Sequence, residues 1–380
     1  MATSDFDIAI CGAGPVGLVL ALLLVKRGAL AARIALIDAK SLEKVNKDPR
    51  SIALSYGSRQ ILEEVGAWPL AAAAIHQIHV SRRGHFGRTM IDRDEYGVPA
   101  LGYVTRYGAI VTALAAAATK AGITTLRPAH VTSSTENDAA VELRFADGNT
   151  LTAQILAQAE GGVFSDQSVK PTYRDYEQTA IIAHVTASAP IAYRAFERFT
   201  EEGPLALLPQ DGGYALVWCA RPATASRLYA LPDNEFLKAL EQAFGTRLGR
   251  FTSITPRATY PLGLNAHAVT SARTVAIGNA AQTLHPVAGQ GLNLGFRDAA
   301  VLARLLAQET TPEMLSRFAD ARKADRRITI SLTDAMARIF ASAPDGALSQ
   351  TALGFSLALV DAFGPAKRLL TEQLMFGRRQ

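Results

Sequence analysis

The sequence predicts an α/β fold of two lobes (α+β overall), one built on a parallel strand–helix–strand unit and the other on a mostly antiparallel sheet. Three observations predict it. The chain opens with two apolar runs separated by a glycine-rich turn and a helix. A second glycine-dense loop stands between a strand and a helix some 260 residues later. Between them lie segments that alternate apolar and polar residues.

The opening unit is complete. Phe6-Asp7-Ile8-Ala9-Ile10-Cys11 reads as a buried parallel strand, Leu18 to Arg27 as a helix stopped by Gly28, and Arg33-Ile34-Ala35-Leu36-Ile37-Asp38 as a second strand. The connection Gly12-Ala13-Gly14-Pro15-Val16-Gly17 is a GxGxxG, the Rossmann-like fingerprint of dinucleotide binding. In that pattern Gly12 permits the turn, Gly14 lets backbone and Pro15 approach a pyrophosphate, and Gly17 lets helix and strand pack closely. Asp38 ends the second strand, where a carboxylate accepts hydrogen bonds from ribose hydroxyls and repels a 2′-phosphate. NAD and FAD both satisfy these requirements.

The second loop decides between them. Arg273-Thr274-Val275-Ala276-Ile277 reads as a strand and Phe296 to Ala303 as a helix. Between them run Gly278-Asn279-Ala280-Ala281-Gln282-Thr283-Leu284-His285-Pro286-Val287-Ala288-Gly289-Gln290-Gly291-Leu292-Asn293-Leu294-Gly295. Such a loop aims backbone N–H groups and a helix N-terminus at one point. A ligand long enough to touch both glycine loops is FAD, with its ADP end on Gly12–Gly17 and its flavin end near Asn279 and Gly289–Asn293. No second GxGxxG and no redox CxxxxC follow the first, which disfavours disulfide reductases carrying two dinucleotides.

The remaining elements follow in order. Tyr56–Gly66 and Gly108–Lys120 read as helices, and Ala140-Val141-Glu142-Leu143-Arg144-Phe145 as a strand before an Asp147-Gly148 turn. Ala180–Val185, Ala195–Phe199 and Ala215–Cys219 alternate as antiparallel strands do. The expected division gives 1–75, 107–170 and 265–340 to a discontinuous FAD-binding domain, 76–106 and 171–264 to a substrate domain, and 341–380 to a C-terminal helical segment. Leu348 to Phe376 reads as helices packed on the cofactor lobe, or as an apolar surface flanked by Lys367, Arg368, Arg378 and Arg379 that meets a membrane or partner proteins.

Composition sets outer limits. A chain of 380 residues with 49% hydrophobic and 19% charged residues is a folded globular protein, and its net charge of +5 is a mild bias. No basic cluster interleaved with aromatics points to nucleic acid, and Arg322-Lys323-Ala324-Asp325-Arg326-Arg327 reads as a solvated helix face. Cys11 and Cys219 read as packed residues in a reducing compartment. The start lacks the basic region of a secretory signal and no apolar run reaches spanning length, so a cytoplasmic protein is expected, peripheral at most on the inner face of the membrane. His79, His85, His184 and His267 lack ligand spacing, so no metal is expected.

These motifs resemble the FAD-dependent aromatic hydroxylases that share the para-hydroxybenzoate hydroxylase fold. Their second flavin motif runs Gly-Asp, His-Pro and Gly-Gln-Gly-x-Asn. Here Gly278-Asn279, His285-Pro286 and Gly289-Gln290-Gly291-Leu292-Asn293 stand in those places, with Asn279 for Asp. Their middle Asp-Gly motif is matched by Gln158-Ala159-Glu160-Gly161-Gly162, with Glu160 for Asp. Asp48-Pro49-Arg50-Ser51, His79 to Gly87, Leu207-Leu208-Pro209, Leu216 to Cys219 and Phe363 to Lys367 are similar to the ubiquinone-biosynthesis branch.

The resemblance implies an FAD-dependent monooxygenase that hydroxylates the ring of a lipophilic 2-polyprenyl-6-methoxyphenol through a flavin C4a-hydroperoxide. It implies O₂ and NAD(P)H or another electron donor as co-substrates, and other ubiquinone-biosynthesis proteins as partners. By this reading Arg50 lies near the flavin or is solvated, and Arg106 touches ribityl or phosphate groups. His285 and Pro286 are the catalytic candidates, with a packed loop histidine as the alternative for His285. A flavoprotein acting at another ring position or on a soluble aromatic acid is the second reading, and an FAD-binding scaffold without catalysis the third.

Overall fold

The computed structural model describes residues 4–48, 50–83, 88–160, 173–266, 270–286, 289–341 and 364–377. The expected features at 84–87, 161–162, 267, 287–288 and 348–363, with Pro49, Arg378 and Arg379, lie outside the described residues.

The first sheet grows around Phe6–Cys11, flanked in parallel by Ile34–Ile37 and Thr150–Gln158. Its order continues to Thr124–Leu126 on one side and to antiparallel Val141–Phe145 and Val131–Glu136 on the other, with Thr274–Ala276 pairing parallel to Thr150–Gln158. Ile8, Ala9, Ile10 and Cys11 are all buried, as a strand covered on both faces must be. The helix Pro15–Lys26 starts on a proline, whose missing N–H costs nothing at that position. Pro15 to Leu24 are buried without a break, because this helix packs against the sheet and against helices Tyr107–Lys120 and Gln290–Leu306.

Among the described residues the second sheet has nine strands, in the order Gln282–Thr283, Ala258–Ala266, Tyr173–Ala187, Gly213–Ala220, Pro204–Gln210, Arg194–Phe199, Gln77–Arg82 and Arg88–Asp92, with Phe251–Ile254 attached to Tyr173–Ala187. Its pairings are antiparallel except between Arg194–Phe199 and Gln77–Arg82. One face carries Ile181, Phe196, Leu207 and Trp218 against the amphipathic helices Pro222–Ala230 and Asp233–Phe244. The opposite face, with Ile78, Ala195, Ala206, Leu208 and Val217, is left to line a cavity. A small sheet of Ser51–Ser55, Gly102–Arg106 and Ala72–Ile75 stands at the junction. The second glycine loop also joins the two large sheets, since Thr274–Ala276 belongs to the first and Gln282–Thr283 to the second.

The long helix Pro312–Ala341 corrects one expectation. Arg322, Asp325 and Arg326 are 4%, 2% and 7% exposed and face the interior, while Lys323 and Arg327 on the other side are exposed. The reason is a buried carboxylate, Asp298, supplied by the neighbouring helix Gln290–Leu306. At the C-terminus, Gly364–Phe376 is one helix, packed on Tyr56–Glu64 with Phe376 edge-on to Tyr56. Among the described residues, no helix is long and apolar enough to cross a membrane.

Candidate active site

Glycines set the site because backbone must approach backbone. A Cβ on Gly17 would fall 1.9 Å from the Gly12 carbonyl oxygen, and one on Gly12, whose φ is +110°, would meet Ala159 and Glu160 backbone at 2.7 Å. Asp38 fastens the turn: its Oδ2 accepts from the Ala13 N–H at 2.8 Å and its Oδ1 from the Lys40 N–H at 2.7 Å. Arg127 stands 3.8 Å from the same carboxylate. The helix behind the turn has no side-chain cap at its N-terminus.

The second loop is seated on the first. Gly278 (φ +57°) leaves room for Val16, and a Cβ on Gly295 would lie 2.7 Å from Val16 Cγ2. The helix begins at Gln290, six residues before the expected Phe296, so Gly291, Leu292 and Asn293 belong to its first turn. Gly289, left-handed at φ +58°, precedes it and supplies no side-chain cap. A Cβ on Gly291 would meet nothing within 4 Å.

Two uncapped helix N-termini therefore open on one cavity of about 620 Å³, lined by Gly14, Pro15, Arg50, Asn279, Gly289, Gly291 and Leu292. The first-turn N–H groups of a helix have no intrahelical partner and carry partial positive charge. One end suits a pyrophosphate and the other an electron-rich ring, so the residues present fit FAD. Gly12, Gly17, Asp38 and Gly278 shape the loops from behind.

Other expected residues take different positions. The Asn293 amide is engaged within the protein: it accepts from the Ser55 N–H at 2.9 Å and the Ser58 hydroxyl at 2.7 Å, and donates to the Ala53 and Gly289 carbonyls. Gln290 is buried and, with Asn293, borders a second cavity. Arg50 is clamped to Asp48, Nη2 to Oδ2 at 2.6 Å, and its guanidinium lies 4.7 Å from the Tyr107 ring centre. Arg106 is not brought to the cavity; its guanidinium meets Asp211 at 2.6 Å, on the exposed side. Burial pushes the Tyr107 phenol up, against the pull of Arg50. Tyr107 also lines the cavity and was not anticipated; its only signal was a position directly after Arg106.

His285 is 1% exposed and Pro286 stands beside it on the cavity wall. His285 Nε2 lies 2.8 Å from Gln178 Oε1, and the ring meets Tyr176 edge-on at 5.0 Å. Burial pushes its pKa down to about 4, so the ring is neutral at physiological pH. The folded pKa lies below the unfolded value, so the unfolded chain binds the extra proton first and stability falls as pH drops from about 6.5 towards 4. Relative to His285→Asn, the wild type is expected to lose about 3 kcal/mol over that interval, measured by urea unfolding at stepped pH. Parallel curves would refute this account.

Glu160, in the place of the family's aspartate, closes the first strand crossing next to Asp38. Burial, and then repulsion from Asp38, push its carboxyl up to about 7. Sequence reasoning also passed over Glu197, which faces the cavity from the roof sheet. It lies where the large cavity meets a smaller one of about 290 Å³, walled by Leu54, Ile91, Phe199, Leu370, Leu374 and Met375. The two share Ala53, Ile75, Ile78 and Glu197.

Residues 5–331 match the FAD binding domain family. The chain is 30% identical to the ubiquinone hydroxylase UbiL of Rhodospirillum rubrum, over 97% of this chain and 89% of that one. It is 29% identical to the 3-demethoxyubiquinol 3-hydroxylase of Escherichia coli, over 80% and 81% of the two chains. Its fold is shared with pqsL of Pseudomonas aeruginosa, a probable FAD-dependent monooxygenase, at a TM-score of 0.74, 19% identity, and coverage of 92% of this chain and 99% of the other. With the paired glycine loops and the cavity between them, these likenesses make the chain a member of the FAD binding domain family, and an FAD-dependent aromatic monooxygenase that uses O₂.

Proposed function

We propose that this monooxygenase, which works in ubiquinone biosynthesis, hydroxylates the ring of a phenol bearing a polyprenyl tail, of the 2-polyprenyl-6-methoxyphenol type. The observation that carries the reading is the apolar cavity that adjoins the cofactor cavity and shares Ile75, Ile78 and Glu197 with it as wall. Its aliphatic wall suits a prenyl chain, and the larger space holds the ring. The ubiquinone hydroxylases among the relatives support the pathway. On this reading 1–75, 107–170 and 265–340 form the cofactor domain, 76–106 and 171–264 the substrate domain, and 341–380 a C-terminal helical segment.

FAD, when bound, supplies the electron store through which O₂ is activated. The chain's own residues do the rest. N–H groups of the Gln290–Leu306 helix start stabilise negative charge on the reduced ring system. Asn279, exposed to the cavity, offers an amide that both donates and accepts towards ribityl hydroxyls. The apolar roof keeps water from the reacting oxygen. Neutral His285, held by Gln178, shapes the wall without adding charge.

A soluble aromatic acid would need a cation free to meet its carboxylate. Of the cations on the two cavities, Arg50 is paired with Asp48 and Lys367 with Glu95, and Lys40 lies at the Asp38 end. The roof itself presents a carboxyl. Because polyprenylated phenols reside in membranes, the reading carries with it peripheral contact with a membrane face.

The test supplies FAD-loaded protein with NADPH or photoreduction, O₂, and 2-methoxy-6-(3-methylbut-2-enyl)phenol beside 4-hydroxybenzoate. The prenylated phenol is expected to gain one oxygen by mass and the acid none. Hydroxylation of the acid alone would overturn the substrate, and FAD binding without any turnover would favour the scaffold.

A further inference from the structure

Strands Gln77–Arg82, Arg194–Phe199, Pro204–Gln210 and Gly213–Ala220 face the cofactor cavity with apolar residues and, among those described, one charged residue, Glu197. Arg194–Phe199 pairs in register with Gln77–Arg82 and Pro204–Gln210, so Glu197 stands between Val80 and Ala206. Successive side chains of a strand point to opposite faces. Phe196 and Leu207 enter the core under the two helices, while Ala195 and Glu197 point to the cavity with Ile78, Ala206 and Leu208. Glu197 is thus on the wall shared by the ring-sized space and the apolar space, and the surface it retains faces those spaces.

No hydrogen bond or ion pair reaches its carboxyl from the described residues, and burial alone pushes its pKa up to about 7. A carboxyl left in an apolar wall without a partner is costly, and natural interiors rarely keep one idle. The groups around it do not neutralise it. Lys40, Arg50, Tyr107 and His285 line the larger cavity, Lys367 lines the smaller, and Cys219 lies behind on the neighbouring strands. Arg50 and Lys367 have carboxylate partners of their own, His285 is neutral above about pH 4, and the Cys219 thiol is pushed up by burial and then by Glu197 itself.

We propose that Glu197 is a catalytic base that receives the phenolic hydroxyl of the substrate and takes its proton, with the ring in the larger cavity and the apolar tail in the smaller. The proposal rests on the phenol reading above. The substrate O–H bond breaks, the proton passes to a carboxylate oxygen, and the electron pair stays on the ring oxygen, enriching the carbons ortho and para to it. One atom of O₂ enters a ring C–H bond and the other leaves as water, with two electrons and two protons from the reduced donor. As the ring regains aromaticity its displaced proton restores the hydroxyls, and Glu197 ends as it began.

The experiment compares the FAD-loaded wild type, Glu197→Gln and Glu197→Asp on 2-methoxy-6-(3-methylbut-2-enyl)phenol. Wild-type kcat/KM is expected to rise about tenfold per pH unit up to about 7 and then level off, since the base form populates above its pKa. Glu197→Gln is expected to lose roughly 100-fold at the plateau and to move its limb towards the phenol's own ionisation near pH 10. Glu197→Asp keeps a titrating limb at reduced rate. With the base near 7 and the phenol near 10, only about one bound phenol in a thousand is ionised at rest, so the proton moves during oxygen transfer and both proteins bind the probe alike, read by the shift of the flavin band. A Glu197→Gln enzyme with the wild-type limb overturns the proposal. Wild-type protein that binds the probe but hydroxylates nothing overturns the substrate reading instead. Failure to bind the probe overturns both.

Discussion

Asp298→Ala is expected to destabilise the protein by about 3–5 kcal/mol, because it removes the anion shared by two buried guanidinium groups, of which Arg322 keeps Asp325 at 2.6 Å. Arg322 Nε lies 2.7 Å and Arg326 Nη2 2.9 Å from its two oxygens, and Asp298 is fully buried. The same carboxylate accepts from the Gly278 N–H at 3.3 Å and the Gln282 amide at 3.0 Å, which places the second glycine loop. Burial alone would raise its pKa, but Arg326 and Arg322 hold it below the ordinary carboxylate range. Its stabilisation is therefore complete above about pH 4 and is lost as pH falls through the depressed value. Urea unfolding of the apoprotein measures the loss, and FAD titration of the folded fraction is expected to show weakened binding. Asp298→Asn, which keeps an acceptor, should fall between. A variant as stable as the wild type would show that the arginines find other partners.

The second large effect is expected from Gly17→Ala. Its new Cβ would sit 1.9 Å from the Gly12 carbonyl oxygen, and neither backbone segment can yield without moving the helix off the first strand. Loss of several kcal/mol and colourless purified protein are expected, read by thermal unfolding and flavin absorbance. Gly14→Ala makes the sharper comparison. There the Cβ would stand 3.2 Å from the Tyr107 hydroxyl, the far end of a side chain, so the fold should survive while the cofactor's approach is impaired. Equal damage from both substitutions would contradict the assignment of one glycine to packing and the other to the ligand.

Much of this was legible in the sequence because glycine, proline and apolar periodicity act locally. Gly12, Gly14 and Gly17 lie where the fingerprint puts them, and Phe6–Cys11, Tyr107–Lys120 and Gly213–Ala220 appear near the expected bounds. What escaped depended on partners distant in the chain. The stripe Arg322, Asp325, Arg326 and Thr329 has helical spacing, which a solvated face shows equally well. Only the facing helix reveals that Asp298 draws it inward. Arg106 and Tyr107 are neighbours, and sequence position could not say that one turns to Asp211 and the other to the cavity. Glu197 sits in an alternating run that announces a strand but not which face is covered. Two helices on the Phe196 side decide that, and leave the carboxyl to the cavity.

The two helix starts that open on the cavity come from residues 15 and 290, 275 positions apart in the chain. Their encounter closes one of the longest loops the protein contains, a step that costs entropy before any contact rewards it. An FAD held by both helix starts would span that closure and bind only when both ends are in place. Its binding energy would then add directly to the stability of the assembled chain, growing with the logarithm of free flavin concentration. The supply of flavin would thus govern not only how much enzyme is active but how much of the chain survives proteolysis.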